Sequence, residues 1–133
     1  EGMSNCQKMA QEFNISQRIV FLGHRIDVPS LMKSVDLNIL CTEFEGMSGV
    51  CVEALASGKP FLGSDVPGVN DVVPSKTNLF SNDDVYAIAK KIEELSRADV
   101  RDLVQQQAAQ AEKFSIERMA LGYLALYAEG ELK

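Results

Sequence analysis

The apolar positions change period along the chain. Residues 4–13 carry Cys6, Met9, Ala10 and Phe13 at helical spacing. Ile19, Val20, Phe21 and Leu22 then form a continuous apolar run closed by Gly23, the pattern of a buried strand. Asp27 ahead of Val28 and Pro29 predicts a helix start, with Asp as N-cap and Pro in the first turn. Leu31, Met32 and Val35 give that short helix its apolar face. Residues 36–41 read as a second strand and residues 42–46 as a polar turn. Residues 48–57 read as a helix, with Val50, Cys51, Ala54 and Leu55 on one side and Gly58 as its stop. Residues 59–64 predict a third strand, residues 68–73 a turn with a short helix or strand, and residues 78–80 a short fourth strand.

Beyond Asn82 the pattern is helical. Val85, Ile88, Ala89, Ile92 and Leu95 mark one helix, and Leu103, Val104, Ala108, Ala111 and Phe114 a second. Ser115 is the expected N-cap of a third, whose apolar face is Met119, Tyr123, Leu126 and Tyr127. Short apolar strands alternating with helices predict an α/β fold, a parallel Rossmann-like sheet with helices on its faces. Doubly wound nucleotide-binding domains have about six strands. The expectation is therefore one partial domain over residues 1–133, with the first βαβ unit missing from its N-terminal side. The chain begins with Glu1 rather than Met, which fits a piece of a longer protein.

Charge narrows the partners. The 133 residues carry a net charge of −6. An acidic surface repels phosphate backbones and anionic membranes, so nucleic acid is not expected as a partner. A small anionic ligand remains open, because backbone N–H groups bind phosphate without a basic domain. No apolar run approaches the roughly 20 residues of a membrane span, and the N-terminus has no signal-peptide pattern. Cys6, Cys41 and Cys51 show no metal-ligand spacing, and His24 is the single histidine. They read as reduced, buried thiols of a cytoplasmic protein, with no metal and no cofactor, and His24 reads as a structural loop residue.

Ligands of an open parallel sheet bind at the carboxyl ends of its strands. Glu45 falls on the loop after the second strand, and Glu53 lies eight positions later in the following helix. The helix start offers unpaired N–H groups and a positive dipole end, suited to a diphosphate. A loop carboxylate accepts hydrogen bonds from sugar hydroxyls, and one about a turn into the helix suits a ribose diol. Acidic residues in a first helical turn are also favourable by themselves. Spacing alone leaves both readings open.

The order of motifs adds to this. Val20-Phe21-Leu22-Gly23, Asp27-Val28-Pro29, Asp36-Leu37-Asn38-Ile39-Leu40, Glu45-Gly46 with seven residues before Glu53, Glu53-Ala54-Leu55-Ala56-Ser57-Gly58-Lys59-Pro60, and Gly68 resemble the group-1 (family 4) retaining glycosyltransferases. These have two facing Rossmann-like domains, the GT-B fold, and the resemblance is to the C-terminal, donor-binding one over roughly residues 14–127. The spaced glutamates are its specific part. The resemblance implies that Glu45 contacts the donor sugar as the catalytic carboxylate. It implies that Gly46, Met47 and Ser48 face the sugar and diphosphate, that Val52 lies near the nucleoside, and that Glu53 binds the ribose. Arg25 matches a position whose backbone meets the base.

Three positions depart from the family pattern. Ser48 stands where Pro is common, Asp71 where Glu is common, and Asn78 where Gly is common. The Arg and Lys usual for the diphosphate fall outside this chain, as does the acceptor-binding domain. The implied activity is hexosyl transfer from a nucleotide-diphosphate sugar with retention, in polysaccharide or lipopolysaccharide assembly, and the chain alone is expected to be inactive. A second copy is the expected substitute partner for the last helix. Two alternatives stay open: a non-enzymatic flavodoxin-like receiver module, for which Asp36 and Asp65 are the candidates, and a GT-B epimerase or phosphorylase.

Overall fold

The computed structural model describes residues 2–130. In chain order the elements are α1 (Gly2–Glu12), α2 (Val28–Ser34), β1 (Asn38–Leu40), α3 (Gly49–Ala56), β2 (Phe61–Ser64), β3 (Leu79–Phe80), α4 (Val85–Arg97), α5 (Arg101–Ala111) and α6 (Ile116–Gly130). Short 3-10 turns lie at Ser16–Arg18, Lys76–Asn78 and Glu112–Phe114. The sheet has three strands in the order β1-β2-β3, all parallel, with Asn38 opposite Phe61 and Gly63 opposite Leu79. This is the expected α/β arrangement, a parallel sheet flanked by helices.

The expected strand at residues 19–22 does not form. The backbone is extended at Ile19, yet no residue of the run joins the sheet, and Val20 is 80% exposed. A strand is made by its ladder, and among the described residues no strand lies beside this run. The second and third strands are shorter than expected, 38–40 and 61–64, because pairing with a neighbour sets their ends rather than apolarity.

The core forms where α3 packs on β2 and α5. Cys51, Ala54 and Leu55 of α3 meet Phe61 of β2, Leu79 of β3, Ala111 of α5, and Val69, Val72 and Val73 of the turn after β2. Burying a side chain such as Leu55 fully contributes about 1.5–3 kcal/mol. Phe61 and Phe80 are core residues as expected, and Phe114 packs against the core's edge. Val50 is not part of it. It was expected on the buried side of α3 but is 47% exposed, since Cys51, Ala54 and Leu55 already fill the face turned to the sheet.

One polar side chain belongs to the core. Gln107 of α5 is fully buried. Its Oε1 accepts from the Phe61 N–H at 3.2 Å and its Nε2 donates to the Phe61 carbonyl at 3.1 Å. The side-chain amide acts as a strand neighbour for one residue, and both buried peptide groups keep partners.

The helix signals divide. Gly58 ends α3 with φ +76, and the Ser115 hydroxyl accepts from the Arg118 N–H, as expected of a stop and an N-cap. Asp27 occupies the N-cap position of α2, but its carboxylate makes no capping bond. It pairs with Arg25 instead. Burial is also less than the apolar spacing suggested. Met9 of α1, Phe13 just past its end and all the large apolar side chains of α6 from Ile116 to Tyr127 are exposed. Cys6 and Cys41 are exposed as well, so Cys51 is the one buried thiol among the three.

Candidate functional site

The carboxyl ends of β1, β2 and β3 meet in a hydrogen-bonded knot. Ser64, the last residue of β2, is fully buried. Its Oγ accepts from the Thr42 N–H at 2.9 Å. Its hydroxyl faces two acceptors, Asn82 Oδ1 at 2.7 Å and the Leu40 carbonyl at 3.3 Å. A hydroxyl has one proton, and the shorter contact, at the usual O–H···O distance, takes it. Asn82 Nδ2 in turn donates to the Thr42 carbonyl at 2.7 Å. Both peptide groups of Thr42 are therefore held from outside its own strand.

Thr42 opens the loop that reaches α3. Its hydroxyl donates to the Phe44 carbonyl at 3.2 Å. Glu45 is half-buried, and Gly46 and Met47 are exposed. The far end of the loop is fixed by Ser48, which is buried. Ser48 Oγ caps α3 by accepting from the Cys51 N–H at 3.4 Å, and its own N–H donates to the Gly68 carbonyl at 3.3 Å. The family's usual Pro lacks that N–H, so the departure at Ser48 gives the loop an extra tie. Asp71, the other departure close by, accepts from the Gly68 N–H at 3.2 Å.

Gly68 presses on the middle of the loop. It has φ +80, and a Cβ built there would stand 2.5 Å from the Glu45 carbonyl oxygen and closer still to that of Gly46. Only glycine fits such an approach of two backbones. The Glu45–Gly46 peptide is thus set by the turn after β2.

Ser48 side-chain and carbonyl oxygens satisfy the Cys51 and Val52 amides, which leaves the first turn's remaining N–H groups for an anion. Val52 is half-buried, and Glu53 is exposed on the helix. Burial pushes the Cys51 thiol up; the Ser48 hydrogen bond opposes this, and the Glu45 charge adds to it.

Arg25 is placed otherwise. It lies on the exposed bend before α2 with His24, and its guanidinium makes two bonds to Asp27, at 2.7 and 2.6 Å. That pairing raises the Arg25 value and lowers that of Asp27. The Arg25 side chain is therefore engaged with Asp27 and is not a free cation.

Sequence reading marks Ser64 to Gly68 as a strand end open to a ligand but gives Ser64 itself no role, and it misses Asn82. Ser64 ends an otherwise apolar strand, a local signal that a polar group has work at that strand's end. Asn82 has no such signal, since its partners are 18 and 40 residues away. A cavity of about 850 Å³ lies at the opposite end of the sheet, between Asp36, Pro60, Leu95 and Val104. Its size does not mark the site, which is an open surface at the strands' carboxyl ends. Asp36 precedes β1 and Asp65 follows β2, so the two lie at opposite ends of the parallel sheet and cannot form the acidic pair of a receiver.

A family model, described as glycosyl transferases group 1, matches residues 1–98. The chain belongs to that family. It is 26% identical over 124 residues to the Vi polysaccharide biosynthesis protein VipC/TviE of Salmonella typhi, a match covering 87% of this chain and 22% of that protein. It is 32% identical over 69 residues to the UDP-Gal:alpha-D-GlcNAc-diphosphoundecaprenol alpha-1,3-galactosyltransferase of Escherichia coli, covering 52% of this chain and 18% of that one. Among solved structures it resembles Anabaena HepE, crystallised in complex with UDP, with a TM-score of 0.78 and 21% identity over 96% of this chain and 36% of that one. The fold is thus that of a GT-B glycosyltransferase domain. The chain spans about a fifth of the length of the curated relatives it matches.

Proposed function

We propose that this chain is the donor-binding part of a glycosyltransferase that moves a hexosyl group from a nucleotide-diphosphate sugar to an acceptor with retention. The observation that carries the reading is the loop from Thr42 to the α3 cap, tied to all three strand ends, with Glu45 on it and Glu53 just beyond it. Amides at the α3 start hold the diphosphate, Glu53 accepts from the ribose hydroxyls, and Glu45 meets the hexose. Gly46, Met47 and Ser48 line the sugar side, Val52 borders the nucleoside, and the Arg25 backbone approaches the base. Backbone N–H groups here take the electrostatic role a metal has elsewhere, and no cofactor is needed.

The names of the relatives place them in polysaccharide biosynthesis and in galactosyl transfer from UDP-Gal, which supports polysaccharide or lipopolysaccharide assembly here. On this reading the protein is cytoplasmic. No helix among the described residues is long and apolar enough to cross a membrane. The partners on this reading are the nucleotide sugar and the acceptor-binding domain of the parent enzyme. A second copy of the chain covers the apolar side chains of α6 when that domain is absent.

The test uses the purified chain with UDP-, GDP- and ADP-hexoses and their free diphosphates. Binding of one nucleotide without transfer is expected. Acceptor-dependent turnover would overturn the inactivity of the chain alone, and failure to bind any nucleotide would overturn the donor site. Proton NMR of the anomeric centre, on product from the full-length protein, tests retention.

A further inference from the structure

We infer that Asn82 is a positioning residue for the loop that carries Glu45, an inference that rests on the donor-site reading above. Asn82 lies just past β3, in a segment that carries none of the motifs used to recognise the site. Its amide nevertheless closes a ring of three hydrogen bonds. The Thr42 N–H donates to Ser64 Oγ, the Ser64 hydroxyl donates to Asn82 Oδ1, and Asn82 Nδ2 donates to the Thr42 carbonyl. Each member uses a distinct donor and acceptor, so the ring fixes the amide's orientation as well as its place. Hydrogen bonds in such a closed chain polarise one another.

The consequence falls on one residue. Thr42 is where the chain leaves β1, and Glu45 follows three positions later. The rest of the loop is held by Gly68 and Ser48, both reached from the turn after β2. Among the described residues, Asn82 alone hydrogen-bonds the loop to the end of β3. Removing it frees the peptide of Thr42 at its carbonyl while α3, and with it Glu53, stays capped by Ser48. Asn82 therefore governs the hexose side of the site and leaves the nucleotide side alone.

Two variants of the full-length protein test this. Asn82→Ala removes both bonds. Asn82→Asp keeps an acceptor for Ser64 but sets a carboxylate oxygen against the Thr42 carbonyl. Asn82 is exposed, so neither substitution opens a cavity. The probe nucleotide is whichever of UDP, GDP and ADP binds tightest. Both variants are expected to keep its affinity within about twofold while turnover with the matching nucleotide hexose falls about tenfold to hundredfold, the scale of a misplaced reacting group. Wild-type turnover in both variants would overturn the inference. So would a parallel fall of turnover, nucleotide affinity and melting temperature, which marks a residue that only holds the fold. Glu53→Gln measured alongside separates the two levels. Unchanged nucleotide affinity there overturns the donor site and this inference with it. Weakened affinity there, with wild-type turnover in the Asn82 variants, overturns the inference alone.

Discussion

Gly68 and Gly46 meet backbone to backbone, so closely that no side chain fits at position 68. The contact joins the turn after β2 to the loop after β1, and it fixes the peptide next to Glu45. Substituting Gly68→Ala adds a Cβ at φ +80 and against two carbonyl oxygens. Strain of this kind costs about 1–3 kcal/mol. The expected result is a lower unfolding free energy by that amount in denaturant titration, with donor binding weakened. Gly49→Ala is the control, because a Cβ there meets nothing within 4 Å. Equal stabilities of the two variants would contradict the close approach.

Gln107 is expected to matter for stability out of proportion to its surface neighbours on α5. Gln107→Leu leaves the Phe61 N–H and carbonyl without their partners in a dry core. Each buried unsatisfied group costs about 1–3 kcal/mol. The variant is expected to unfold at clearly lower denaturant, whereas the exposed Gln106→Leu should change little. A neutral Gln107→Leu would mean that water reaches Phe61.

The difference between expected and observed structure lies in long-range partners. Residues 19–22 are the more apolar run, yet residues 61–64 are the strand, because they have neighbours to pair with. The helices and the α3 region were legible because spacing, Gly58 and the glutamate pair are local signals. Val50 was misplaced because α3 is apolar on more than one side, and only the sheet decides which side is covered. Asp27 looked like a cap but had a stronger attraction two residues away in Arg25. Asp84 does cap α4, by accepting from the Ala87 N–H at 2.8 Å. The knot of Thr42, Ser64 and Asn82 exists only once the three strand ends converge, so no local pattern announces it.

The three thiols should separate by burial. Cys6 and Cys41 are expected to react with a thiol reagent in the native protein, and Cys51 only on unfolding. Burial raises the Cys51 value in the folded state. The folded protein therefore holds that proton more tightly than the unfolded chain. This stability is complete below the ordinary thiol value, about 8.5, and is lost as pH rises from there through the raised folded value. Melting temperatures across pH 7 to 10 should fall more steeply for the native protein than for Cys51→Ala. Parallel curves, or three thiols reacting at one rate, would contradict the placement of Cys51.

The central claim is that Glu53 and Glu45 divide the donor between them, the first holding the nucleotide and the second the hexose. Calorimetric titration of Glu53→Gln and Glu45→Gln in the full-length protein, with the free nucleoside diphosphate and the nucleotide hexose, tests it most directly. Loss of a charge-assisted hydrogen bond costs about 1.5–3 kcal/mol, roughly tenfold to hundredfold in affinity. Glu53→Gln is expected to weaken both ligands by that factor. Glu45→Gln is expected to bind the free diphosphate as the native protein does, while turnover falls. Equal weakening of the free diphosphate by both variants would contradict the division, and native binding and turnover in both would contradict the donor site itself.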